Sequence, residues 1–156
     1  MRFATPKTLS RADVAEFERE VNTIRDSVMN HLGQADVDHI RSMIRISRAS
    51  EIGGRALLHF GVGPLSWLGG VLALAHAKIL DNMEIGHNVM HGQYDWTGDP
   101  ALNSQKFEWD IACDGEQWRH SHNVTHHTYT NILGKDRDLG YSLLRMTPDQ
   151  KWKPRH

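Results

Sequence analysis

Apolar residues recur at alternating three- and four-residue steps through Val14, Phe17, Val21, Ile24 and Val28, behind a Ser10–Asp13 pair of the capping-box kind. This spacing predicts an amphipathic helix that stops near Gly33. Glu16, Glu18, Arg19, Glu20 and Arg25 take its other side, and the simplest expectation is a helix packed on its neighbours. Asp36 can cap a second helix, on which Val37, Ile40 and Ile44 form a weaker stripe. Arg41, Arg45, Arg48 and Arg55 follow with little acidic balance beyond Glu51. Arginines crowded ahead of an apolar run are the pattern of a cytoplasmic membrane flank.

That run is Ala56 to Leu80, ALLHFGVGPLSWLGGVLALAHAKIL, in which Lys78 is the only formal charge. About 20 apolar residues cross a bilayer core, so the run is near spanning length, but Gly61 to Pro64 interrupts it. Proline and glycine break helices. A single kinked span, a helical hairpin or a buried core helix fits; the hairpin, with arms from about Arg48 to Val62 and from Leu65 onward, returns both ends to one face and is preferred. The second arm is expected to continue as one helix through Leu72, Ile79, Met83 and Gly86. His76 then precedes His87 by close to three turns and shares its face. Gly92 and Gly98-Asp-Pro100 end the helix, and after a loop comes the segment Trp109 to Asn131, in which Trp109 and Trp118 suggest a partly apolar, interfacial stretch. GKDRDLGY, Gly134 to Tyr141, reads as a polar turn.

Six histidines lie between His87 and His127, five of them in two boxes: His87-Asn-Val-Met-His91 and His122-Asn-Val-Thr-His126-His127. On a helix, residues four apart differ by about 40° around the axis, so each box can grip one ion with two imidazoles. His127 is turned about 100° from His126 and can reach a second ion or close the far side of the site. Clustered imidazoles lose solvation and repel each other when protonated, which favours a metal site over packing. Five ligands, two of them divergent, suit two metals better than one tetrahedral zinc.

Composition narrows the chemistry. The chain has 156 residues, room for one ordinary domain. Its 18 Lys+Arg against 19 Asp+Glu argue against a nucleic-acid binder. Cys113 is the only cysteine, which excludes a disulfide framework and a multi-thiolate zinc site. No signal-peptide h-region precedes the first helix, and the abrupt finish after Lys151 is expected of the front part of a longer protein. The Asn123-Val-Thr125 sequon falls inside the second box and is rejected as a glycosylation site.

The two boxes in their settings, MEIGHNVMHGQYDWTGDP and WRHSHNVTHHTYTNILGKDRDLGY, resemble the first two histidine boxes of the membrane fatty acid desaturases, in the bacterial acyl-lipid or acyl-CoA branch. The resemblance covers roughly Ala56 to Arg145. It implies an all-α, membrane-associated helical bundle with a kinked or hairpin transmembrane segment and a cytoplasmic histidine-bearing cap. It implies a non-haem di-iron centre and assigns the iron ligands to His87, His91, His122, His126 and His127, with His120 a weaker candidate. The implied reaction is oxygen-dependent introduction of a double bond into a fatty acyl-CoA or acyl-lipid. Electrons would come from a ferredoxin or cytochrome b5-type donor with its reductase.

On this reading residues 1–50 form cytoplasmic helices. Residues 51–156 form the first part of a desaturase domain, with apolar helices at 51–86 and the boxes at 87–91 and 122–127. The protein is expected in a bacterial inner membrane, boxes on the cytoplasmic side, with membrane lipid but not nucleic acid as a partner. The family's third box, H/Q-x-x-H-H, is absent from the 156 residues, so the chain is expected to be inactive alone. A related di-iron hydroxylase or alkane monooxygenase, or a non-catalytic metal-binding membrane module, is the alternative. Trp67 and Met83 are candidates for the wall of an acyl pocket, though ordinary packing accounts for both.

Overall fold

The computed structural model describes residues 9–154 except Asp110 and Ala112, and every regular element among them is helical. The chain divides into two compact units, Met1–His39 and Ile40–His156. In the first, helix α1 (Arg11–His31) opens with the predicted capping box: Ser10 Oγ accepts from the Asp13 amide at 3.1 Å, and Asp13 Oδ2 accepts from the Ser10 amide at 2.9 Å. The expected packing of its stripe is not found. No residue of α1 is buried, and Phe17 is 66% exposed. A helix cannot cover its own apolar face, and within this unit no second face closes over it.

Helix α2 (Gln34–Phe60) merges two elements that the pattern separates, the second helix and the first hairpin arm. Asp36 lies in its first turn instead of at the N-cap, and its Oδ2 accepts from the Gly33 amide at 2.8 Å. Glu51 takes both Arg48 and Arg55, at 2.9 and 2.7 Å, while Arg41 reaches Asp99 at 3.2 Å.

Beyond the break at Gly61–Gly63, helix α3 (Pro64–Ile79) starts with proline in its first turn and runs back along α2. The hairpin is therefore formed and the single kinked span is not. Its seam is close because two glycines face each other: a Cβ on Gly54 would meet the Gly70 carbonyl at 3.0 Å and Leu74 Cγ at 2.9 Å, and one on Gly70 would meet Leu58 Cγ at 2.7 Å. Ser47, buried on α2, donates to Asp81 Oδ1 at 2.6 Å, and Ser50 Oγ lies 3.0 Å from His76 Nδ1. At about 1.5 Å per residue α3 is roughly 24 Å long, against a bilayer core of about 30 Å. No helix among the described residues is long and apolar enough to cross a membrane.

The helix after α3 does not continue in α form. Leu80–Gly86 is a π-helical turn, followed by the short helix α4 (His87–Met90). The wider turn resets the phase, so His76 does not share the face of His87; it stays on the hairpin, exposed, against Ser50. The π turn buries Ile85, and Ile85, Val89, Tyr94, Leu102 and Ile40 of α2 make the core of the second unit. The loop after α4 is braced by Asp95, whose carboxylate accepts from the Ser104 amide and hydroxyl, each at 2.7 Å. This fixes the floor on which the second histidine segment sits.

Candidate metal centre

The second box lies in a helical run of three short pieces within residues 109–131. Helix α5 (Gly115–Trp118) starts at Asp114, whose side chain accepts from the Gln117 amide at 2.7 Å, and Trp109 lies outside it. A second π turn, Arg119–His126, leads into the one-turn helix α6 (His127–Tyr129). Each π turn closes on a boxed histidine: the His87 amide donates to the Asn82 carbonyl, and the His127 amide to the His122 carbonyl. In a π turn the bond spans five residues, so His122 and His127 stand one above the other. In an α-helix that pair would diverge by about 140°. The π turn is what sets His122 and His127 together against the first box, with His126 packed on both of them.

The five boxed histidines converge. Ring centroids are 4.6 Å apart for His87–His91, 4.9 Å for His87–His122, 4.8 Å for His91–His127 and 4.8 Å for His122–His126. His120 does not join them; it is exposed, beside Asp114, Glu116 and Ser121. Among the described residues two groups have donor atoms within 4.8 Å of one another: His87, His91 and His122, and His122, His126 and Asp138. Burial, and then the charge of His122, lowers the pKa of His87. Burial, and then His87, holds His91 down to about 4. Box 1 is thus neutral and free to donate nitrogen lone pairs near pH 7.

Several residues of the site escape the histidine pattern. Trp118 stacks on His122 at 4.4 Å and 20°, and its edge meets His87 and His91 at 5.6 Å each. It serves as a wall of the site. Trp109 packs against Trp118 at 5.1 Å and donates its Nε1–H to the Cys113 carbonyl at 3.0 Å. Its ring occupies the space that a Cβ at Gly86 would need. Asn123, the rejected sequon, ties the boxes together by donating Nδ2–H to the Met90 carbonyl at 3.0 Å. Asp136 and Asp138 accept from His126 and His122. Their signal was available: two acids at alternate positions shortly after a histidine box, where ligating imidazoles need a carboxylate on their second nitrogen. The bond from His126 pulls Asp136 down to about 2.

A cavity of about 360 Å³ opens beside His87 and His122, walled by Met83, Trp109, Ile111, Trp118 and Tyr141. Met83 lines this cavity, while Trp67 is exposed on the hairpin.

No protein-family model matches the chain, and no solved structure is significantly similar to it. Curated proteins are. The NADPH-dependent stearoyl-CoA 9-desaturase of Mycobacterium tuberculosis (strain H37Rv) is 48% identical over 145 residues, which is 93% of this chain and 34% of that protein. The sn-1 linoleoyl-lipid 6-desaturase of Synechocystis is 34% identical over 86 residues, 53% of this chain and 23% of that protein. Its namesake in Arthrospira platensis is 31% identical over 98 residues, 56% of this chain and 24% of that protein. The chain spans about a third of the length of the mycobacterial relative, over a stretch that takes in both histidine boxes. By this likeness the chain belongs to the fatty acid desaturase family.

Proposed function

We propose that this chain supplies one side of the metal centre, and part of the acyl-chain wall, of an oxygen-dependent fatty acyl desaturase. The observation that carries the reading is the convergence of His87, His91, His122, His126 and His127, from two segments, with neighbouring rings about 5 Å apart. The donor set fits iron: imidazole suits first-row metals, thiolates are absent, and box 1 is held neutral. The five histidines would hold it, and when bound it would activate O2, which with two electrons from the donor takes two hydrogens from neighbouring methylenes and leaves as water. The chain's own residues do the rest. The apolar walls Met83, Trp109, Ile111 and Trp118 receive methylenes beside His87 and His122 and exclude water. Asn123 holds the two boxes in register.

The substrate class follows the name of the mycobacterial relative, a stearoyl-CoA desaturase, and is a fatty acyl-CoA. Electrons reach the site from NADPH through a ferredoxin or cytochrome b5-type protein. The protein acts at the bacterial membrane with the boxes on the cytoplasmic side. The hairpin tip supports this location, since Val62 and Phe60 are 94% and 85% exposed and the arms return to one side. Five imidazoles fall short of what two irons need, so catalysis belongs to a desaturase-length polypeptide and the 156 residues alone are inactive.

The test is a chimera. The aligned stretch of the mycobacterial stearoyl-CoA desaturase is replaced by this chain and expressed in a host that needs exogenous unsaturated fatty acid. The chimera is expected to form double bonds, and His91→Ala and His127→Ala to abolish them. A stably expressed, iron-loaded chimera without activity, or full activity after His127→Ala, would contradict the proposal, as would turnover by the isolated chain.

A further inference from the structure

The turn between Asn131 and Asp138 carries two carboxylates aimed at the second box. Asp136 Oδ1 accepts from His126 Nδ1 at 2.8 Å and from the Asp138 amide at 2.9 Å, and its Oδ2 accepts from the Asn131 amide at 2.7 Å. Its side chain is 1% exposed. Asp138 Oδ2 accepts from His122 Nδ1 at 2.7 Å and stands 3.9 Å from His126 Nδ1. The turn is itself braced: the amides of Lys135 and Asp136 both donate to the Ile132 carbonyl, and Asn131 takes the left-handed conformation (φ 63°) that asparagine tolerates. On their faces the same two imidazoles are held by a stack, Trp118 on His122 and His122 on His126, with interplanar angles of 20° and 24°. Edge and face are both fixed.

We infer that Asp136 and Asp138 are positioning residues that keep His126 and His122 protonated on Nδ1, so that both rings turn Nε2 toward the metal. The inference rests on the metal reading above and deepens it. A neutral imidazole has one N–H and one lone pair, and the partner of one nitrogen decides which it is. A carboxylate accepts only, so each Nδ1 facing one must carry the proton, leaving Nε2 as the sole ligand atom. The close set His122, His126 and Asp138 is thereby explained without an ion of its own: a proton lies between His122 and Asp138, and His126 is held alongside by its own bond to Asp136. The carboxylates also make the two imidazoles stronger donors.

The variant of choice is Asp138→Ala. Asp136→Ala would also strip an acceptor from two backbone amides, so Asp138 is the cleaner site. Metal-free chain labelled with ¹⁵N-histidine reports the tautomer of each ring directly, without metal or turnover. His122 and His126 are expected as Nδ1–H in the parent chain, and His122 to lose that preference in Asp138→Ala while His126 and the helical circular dichroism stay unchanged. Cobalt(II) titration is expected to show affinity lowered roughly 10- to 100-fold in Asp138→Ala. Asp138→Asn, which keeps an acceptor but no charge, is expected to fall between. Nε2–H tautomers in the parent chain, or cobalt affinity in Asp138→Ala within about two-fold of the parent, would overturn the inference. So would loss of the His122 Nδ1–H signal when diamagnetic zinc binds, since Nδ1 would then be the ligand atom. A parent chain that has Nδ1–H tautomers but binds no metal would instead refute the metal reading and leave the tautomer assignment standing.

Discussion

His91 stands where the two boxes meet, its ring against His87, His122, His127 and Trp118. Its pKa of about 4 in the folded chain compares with about 6.5 in an unfolded one. As pH falls through that window the unfolded state takes up the proton first, so the metal-free chain loses stability between about pH 6.5 and 4. His87 adds in the same direction. Asp136, depressed to about 2, adds stability that is complete above the usual carboxylate range and is lost only below it. Urea unfolding of metal-free chain is therefore expected to show a midpoint that drops from pH 7 to pH 5, and that drops less in His91→Ala. A midpoint constant or rising on acidification would contradict the burial of neutral imidazoles. Asp136 and Asp138 were visible in the sequence only as parts of a polar turn. A residue's polarity does not say which neighbour ten or sixteen positions earlier it will face, and that pairing required the turn at Asn131 to be formed.

At the scale of elements, the hairpin seam sets adjacent glycines of α2 against each other as a test. A Cβ at Gly53 meets nothing within 4 Å, whereas one at Gly54 meets backbone at 3.0 Å. Gly53→Ala should stabilise by about 1 kcal/mol, the usual gain in helix propensity. Gly54→Ala should instead destabilise by roughly 1–3 kcal/mol, overpacking outweighing that gain. Thermal unfolding of both variants checks this, and equal shifts would mean the arms are not in contact at that seam. The hairpin itself was legible because Gly61 to Pro64 is strong local punctuation. The α1 boundaries were legible for the same reason, through a capping pair that closes within three residues. The π turns were not legible. Nothing in LDNMEIG or RHSHNVTH distinguishes a five-residue from a four-residue bond, since the choice is made by tertiary contacts: Ser47 on Asp81 at one turn, Asn123 on the Met90 carbonyl at the other. This is also why the phase argument placed His76 with His87 and the structure does not, and why the stripe of α1, plain in the pattern, could not say whether anything would cover it.

Over the whole molecule, the packed core and the proposed chemistry lie together in the second unit. The second unit gathers its core under the first box and its carboxylate turn behind the second, while α1 keeps its apolar stripe exposed. A chain that spans a third of a desaturase thus already holds a converged set of imidazoles with their supporting residues. The most direct test of that convergence is iron X-ray absorption on the chain loaded anaerobically with Fe(II). A first shell dominated by nitrogen, with the outer-shell scattering of several imidazoles that weakens in His91→Ala and His127→Ala, is the predicted result. Iron that fails to bind in stoichiometric amount, or a shell of water oxygens indifferent to both substitutions, would contradict it.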